Sequence, residues 1–163
     1  MRITSPLYPY LLGLYFVLFV FYENLGEVYL GHLVVPLLVI ALVITVILLI
    51  CSLVFRDLNK GAFVAAIILA VLFVHNGLED LVANIYQLRT RYVLAAELVV
   101  SVLLAFVALW SIAEWSKVNR ILNLTFGVLL LLTVGNISVY GLSGKGWLLQ
   151  RWPRFFGQLN PIL

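Results

Sequence analysis

The amino-acid sequence predicts an all-α polytopic membrane protein, a bundle of about five transmembrane helices followed by an interfacial amphipathic C-terminal tail. Three observations predict it. The 163 residues are 64% hydrophobic and only 10% charged, with a mean hydropathy of +1.15, and a soluble domain of this size has too little interior to hide so much apolar surface. The apolar residues fall in five runs, at 6–22, 33–55, 62–81, 92–115 and 122–142, and most of the charge lies between or beyond them. Within each run the apolar character is continuous. It lacks the period-two alternation of a membrane barrel, so helices are left as the way to satisfy a backbone in hydrocarbon.

A helix rises about 1.5 Å per residue and the hydrocarbon layer is about 30 Å thick, so about twenty residues cross it. On that measure all five runs reach, the first being the shortest. Arg2 precedes the first run, but Glu23, Asn24, Glu27 and Tyr29 follow it where a leader would carry a small-residue cleavage site. It therefore reads as a span. Pro36 falls in the first turns of the second run, where a missing donor is tolerated. Cys51, the single cysteine, lies near the end of that run, which excludes disulfides and Cys-rich metal sites and leaves a small packing residue or a site of reversible palmitoylation.

Gly13, Gly61, Ala65, Ala66 and Ala70 place compact side chains where the first and third helices approach their neighbours, and Gly127, Gly135, Asn136 and Ser138 do the same on the fifth. Asn136 is expected to be buried and to need a partner. Tyr8, Tyr10, Tyr22, Tyr29, Tyr92, Trp110, Trp115, Tyr140 and Trp147 stand near run ends, at headgroup level. Gly141, Gly144 and Gly146 break the fifth helix, after which aromatic residues mix with Arg151 and Arg154, and Pro153 limits any further helix. The chain divides accordingly into a transmembrane domain, 1–142, and an interfacial juxtamembrane tail or linker, 143–163.

Orientation follows from the basic residues. Arg2, then Arg56 and Lys60, then Lys117 and Arg120 alternate with an acidic segment, 23–32, and a mixed one holding Glu79, Asp80, Arg89 and Arg91. This pattern places the N-terminus in the cytoplasm of a multi-pass cell-membrane protein and, after five crossings, the C-terminus outside. Lys145, Arg151 and Arg154 of the tail pull the other way. The net charge of +3 reflects contact with lipid and gives no support to nucleic-acid binding.

No phosphate-binding loop, dinucleotide fingerprint or nucleophile elbow occurs, so the chain carries no recognisable catalytic machinery. The Asn-x-Ser/Thr matches at Asn123 and Asn136 fall in or at a helix and read as chance. Glu97 is the exception to an apolar pattern. A bare charge at its depth costs on the order of 2 kcal/mol or more, so it needs a partner or a proton. Arg91, Arg89, His75 and Asn76 are the candidates, together forming a structural polar cluster that clamps helices, with a proton or ligand site as the competing reading. Glu23, Glu27, His32, Glu79 and Asp80 form a candidate outer rim. Two histidines with carboxylates suggest metal or haem, but the spacing matches no ligand pattern, and no cofactor is expected.

The string PLYPYLLGLYFVLFVFYENLGEV at 6–28, the hinge Arg89-Thr90-Arg91-Tyr92 and the opening Leu122-Asn123-Leu124 of the fifth run resemble the amino-terminal membrane region of bacterial sulfatase-like hydrolase/transferases, a layout shared in outline with lipoteichoic acid synthases. The resemblance covers nearly all of the chain and rests on loose, lipid-driven composition. It implies that the bundle precedes an extracytoplasmic catalytic domain of the alkaline-phosphatase superfamily. That family's metal-bound nucleophile resides in the further domain, and no residue here matches it, so no catalytic residue carries over.

The function expected is therefore a membrane anchor and platform, in contact with the lipid bilayer and with a downstream domain or partner membrane subunits. Two alternatives stand beside it: a complete small integral subunit of a larger complex, and a small transporter or haem or quinone protein centred on Glu97, His75 and His32.

Overall fold

The computed structural model describes the backbone of residues 5–25, 27–86 and 90–142, and the side chains of 5–25, 27–75 and 92–141. Five helices run through them: α1 (Tyr8–Glu23), α2 (Val34–Phe55), α3 (Leu58–Tyr86), α4 (Thr90–Ser111) and α5 (Trp115–Leu142), with a 3₁₀ turn at Leu30–Leu33 leading into α2. No strand occurs among the described residues; Leu25 and Val28 form an isolated bridge. The protein is an all-α polytopic bundle. Helices α2 to α5 are each long and apolar enough to cross a membrane. The first run forms a helix of only 16 residues, about 24 Å long, because Pro6 and Leu7 lie ahead of it and Asn24 ends it by donating from Nδ2 to the Val20 carbonyl at 2.7 Å.

Two helices begin earlier than their apolar runs. Arg56 takes a left-handed conformation, φ 51°, and stops α2. Asp57 then accepts from the backbone N–H of Asn59 at 2.8 Å and of Lys60 at 3.4 Å, capping α3 at Leu58. At α5 the first bond is made by backbone alone, the Glu114 carbonyl accepting from Lys117 N–H at 3.1 Å. The charged segments at 56–60 and 114–120 are thus largely the first turns of helices, and at α3 the Asp57 side chain satisfies donors that have no intrahelical partner.

Helix α3 is central: it packs against α1, α2 and α4, while α1 packs also against α2 and α5. The core is Tyr8, Leu12, Ile44, Ala62, Ala66 and Leu69. Small residues set two close approaches. A Cβ at Gly13 would collide with Ile44 of α2, and one at Gly61 would come within 2.6 Å of the Ser52 backbone nitrogen.

The expectation for α5 is corrected. A Cβ added to Gly127 or Gly135 would meet nothing within 4 Å, and Asn136 and Ser138 are exposed. The inward face of α5 runs through Asn119, Leu122, Phe126 and Thr133. At 3.6 residues per turn Gly127, Gly135 and Ser138 fall on the opposite side and Asn136 off the edge. Ser138 satisfies itself, donating from Oγ to the Val134 carbonyl at 2.8 Å. Leu38, Leu42 and Leu53 of α2, and Val102, Leu103, Phe106 and Trp110 of α4, are more than half exposed. Such a face is matched to lipid.

Candidate functional site

One end of the bundle gathers the starts of α1, α3 and α5, and amide side chains join them. Asn119 of α5 donates from Nδ2 to Oδ1 of Asn59 in the first turn of α3, at 2.7 Å. One turn further along α5, Asn123 accepts at Oδ1 from the Leu7 N–H at 3.0 Å and donates from Nδ2 to the Ser5 carbonyl at 2.9 Å. The Leu7 amide precedes α1 and has no intrahelical acceptor, so Asn123 caps one helix from another. Phe63 and Trp115 meet edge to face beside them, ring centres 5.7 Å apart. Arg56, Lys60, Lys117 and Arg120 belong to the same end, with an exposed Lys117–Glu114 ion pair at 2.8 Å.

The amino-acid pattern alone does not single out this joint. Its one signal is the four-residue spacing of Asn119 and Asn123, which puts both amides on one face of a helix.

Toward the other end, His75 of α3 and Glu97 of α4 meet, Nδ1 to Oε2, at 2.7 Å, with 18% and 11% of their side chains exposed. The contact is within hydrogen-bond distance and joins α3 to α4 through side chains. The second oxygen of Glu97, Oε1, is buried and has no hydrogen-bond partner among the described residues. The other residues expected around Glu97 cannot be placed against it: the side chains of Asn76 and Arg91, and all of Arg89, lie outside the described residues, as do the side chains of Glu79 and Asp80. Among the described residues no three His, Cys, Asp or Glu side chains gather as a metal site would require.

Of the rim, Glu23, Glu27 and His32 are exposed along the link between α1 and α2. The His32 ring stands edge-on to Tyr29, centres 5.7 Å apart. Beneath them a cavity of about 240 Å³ opens between Phe16, Val17, Val20 and Phe21 of α1, Val28, Leu33 and Pro36 of the link and α2, and Phe73 of α3, with Asn24 and His32 as its polar members. Phe73 precedes His75 by two residues, so cavity, rim and His75–Glu97 contact share one end of the bundle.

No family model, no curated protein and no solved structure matches this chain.

Proposed function

We propose that the bundle is a membrane anchor and platform, the N-terminal part of a cell-envelope enzyme whose extracytoplasmic domain is sulfatase- or phosphotransferase-like, with the end bearing Glu23, Glu27 and His32 facing outward. The amide joint carries this reading. It ties the starts of α1, α3 and α5 through Asn59, Asn119 and Asn123, beside a close α2–α3 crossing at Ser52 and Gly61. Helices fastened in this way favour one arrangement, which suits tethering, whereas alternating access needs two.

The basic residues around the joint support placing that end in the cytoplasm. The resemblance at 6–28 to the membrane region of sulfatase-like enzymes supports the nature of the attached domain. The test has two parts. Reporter fusions at Asp57 and after Leu142 should report opposite compartments, and the protein detected in its native membrane should run well above 18.3 kDa. Both reporters on one side, or a native mass of 18.3 kDa, would overturn the reading.

One observation favours a second reading, a small transporter centred on the His75–Glu97 contact. The buried Oε1 of Glu97 has capacity for a further donor, and intramembrane ionisable pairs often mark translocation paths. Under this reading Glu97→Gln abolishes uptake in reconstituted vesicles, and unchanged uptake removes it.

A further inference from the structure

We propose that the cavity beneath the α1–α2 link binds one acyl chain of a bilayer phospholipid, whose head group remains at its mouth beside Asn24 and His32. This goes beyond the anchoring role and does not depend on it. The walls are Phe16, Val20 and Phe21 of α1, Val28 and Leu33 of the link, and Phe73 of α3. The Phe73 ring stacks on Phe16 at 4.3 Å, fixing that wall.

Three occupants can be weighed for a space of about 240 Å³. Water needs two to four polar partners. The α1 backbone facing the cavity spends its groups within the helix, and the Asn24 amide nitrogen is committed to the Val20 carbonyl at 2.7 Å. Both polar members, Asn24 and His32, are exposed. Emptiness forfeits the dispersion contacts of every wall atom. A helix of a partner chain, about 10–12 Å across, is too wide. A single hydrocarbon chain fits the apolar walls, and the bundle is already surrounded by such chains along the exposed faces of α2 and α4.

The lining is apolar apart from an amide and an imidazole, both of them exposed and near the end of α1. The wall from Phe16 to Asn24 runs about 12 Å along the helix. The matching ligand is therefore an amphiphile with its tail inside.

The test uses the full chain in phosphatidylcholine vesicles doped with a phosphatidylcholine that carries a diazirine in one acyl chain. After photolysis, labelled peptides are mapped by mass spectrometry. Labelling at Phe16, Val20, Phe21 and Val28 should exceed that at the lipid-facing Leu103 and Phe106 several-fold. Val20 is 58% exposed, so Val20→Trp covers the cavity without entering the core, and the excess should fall to the α4 level. Helicity and unchanged α4 labelling report that this variant is folded. Equal labelling of both regions in the unaltered chain overturns the proposal, whatever the variant does. So does an excess that Val20→Trp leaves intact.

Discussion

Asn119 reaches across from α5 to α3 and hands its amide hydrogen to Asn59 at 2.7 Å, while itself fully buried. The pair lies where two long apolar helices begin, and it fixes their relative height as well as their contact. Replacing Asn119 by Leu strands the Asn59 carbonyl oxygen, so a loss of about 1–2 kcal/mol is expected. Unfolding in mild detergent measures it, and a double-mutant cycle with Asn59→Leu should return a coupling of at least about 0.5 kcal/mol. Strict additivity would mean that the contact does no holding.

Asn123 acts on a different helix. By accepting from the Leu7 N–H at 3.0 Å it closes the start of α1, a helix of only 16 residues. Asn123→Ala should cost about 0.5–2 kcal/mol, the usual worth of a cap, and should raise hydrogen exchange at Leu7 before it does so in the middle of α1. Exchange that stays equally slow at Leu7 removes the capping role.

Two glycines should respond in opposite ways to the same change. At Gly61 a methyl group would lie 2.7 Å from the Ser52 Cα, and backbone cannot step aside as a side chain can. Gly61→Ala is expected to destabilise by about 1–3 kcal/mol, the range for overpacking. At Gly135 nothing lies within 4 Å, so Gly135→Ala should be neutral or stabilising by up to about 1 kcal/mol through helix propensity. Thermal unfolding of the two variants side by side checks both signs.

Tyr8 is wholly buried and its hydroxyl has no partner among the described residues. A buried donor left unmade costs free energy that a phenyl ring does not incur. Tyr8→Phe should therefore raise the unfolding midpoint, and a lowered midpoint would reveal a partner for the hydroxyl.

What the sequence makes legible is the part governed by composition. The apolar runs fix the number and rough extent of the helices, and Glu97 stands out because charge within such a run is costly. The rotation of each helix about its axis is not legible in the same way. Small residues on α5 occupy two faces, and only packing against α1 and α3 decides that Asn119, Leu122 and Phe126 turn inward while Gly127 and Gly135 turn out. The amides of Asn59, Asn119 and Asn123 look like ordinary interfacial residues until three helix starts are brought together. Charged segments read as connectors proved to be helical first turns, the one at α3 capped by the Asp57 side chain.

The His75–Glu97 contact yields the most discriminating prediction, because the two ways of breaking it differ in what remains. His75→Leu leaves the Glu97 carboxyl group, 11% exposed, without that partner in an apolar setting. The insertion cost of a charge at a helix centre is about 2.5–3.5 kcal/mol, and Glu97 lies toward one end of α4, so a loss of about 2 kcal/mol is expected. Glu97→Leu removes the carboxyl group itself. If the contact is a clamp whose attraction roughly offsets the desolvation of its members, the double variant His75→Leu with Glu97→Leu should recover most of what His75→Leu alone loses. Unfolding of the three variants in the same detergent decides it. Should the double variant be weaker than either single one, the pair contributes more than mutual neutralisation, and α4 depends on it for its attachment to α3.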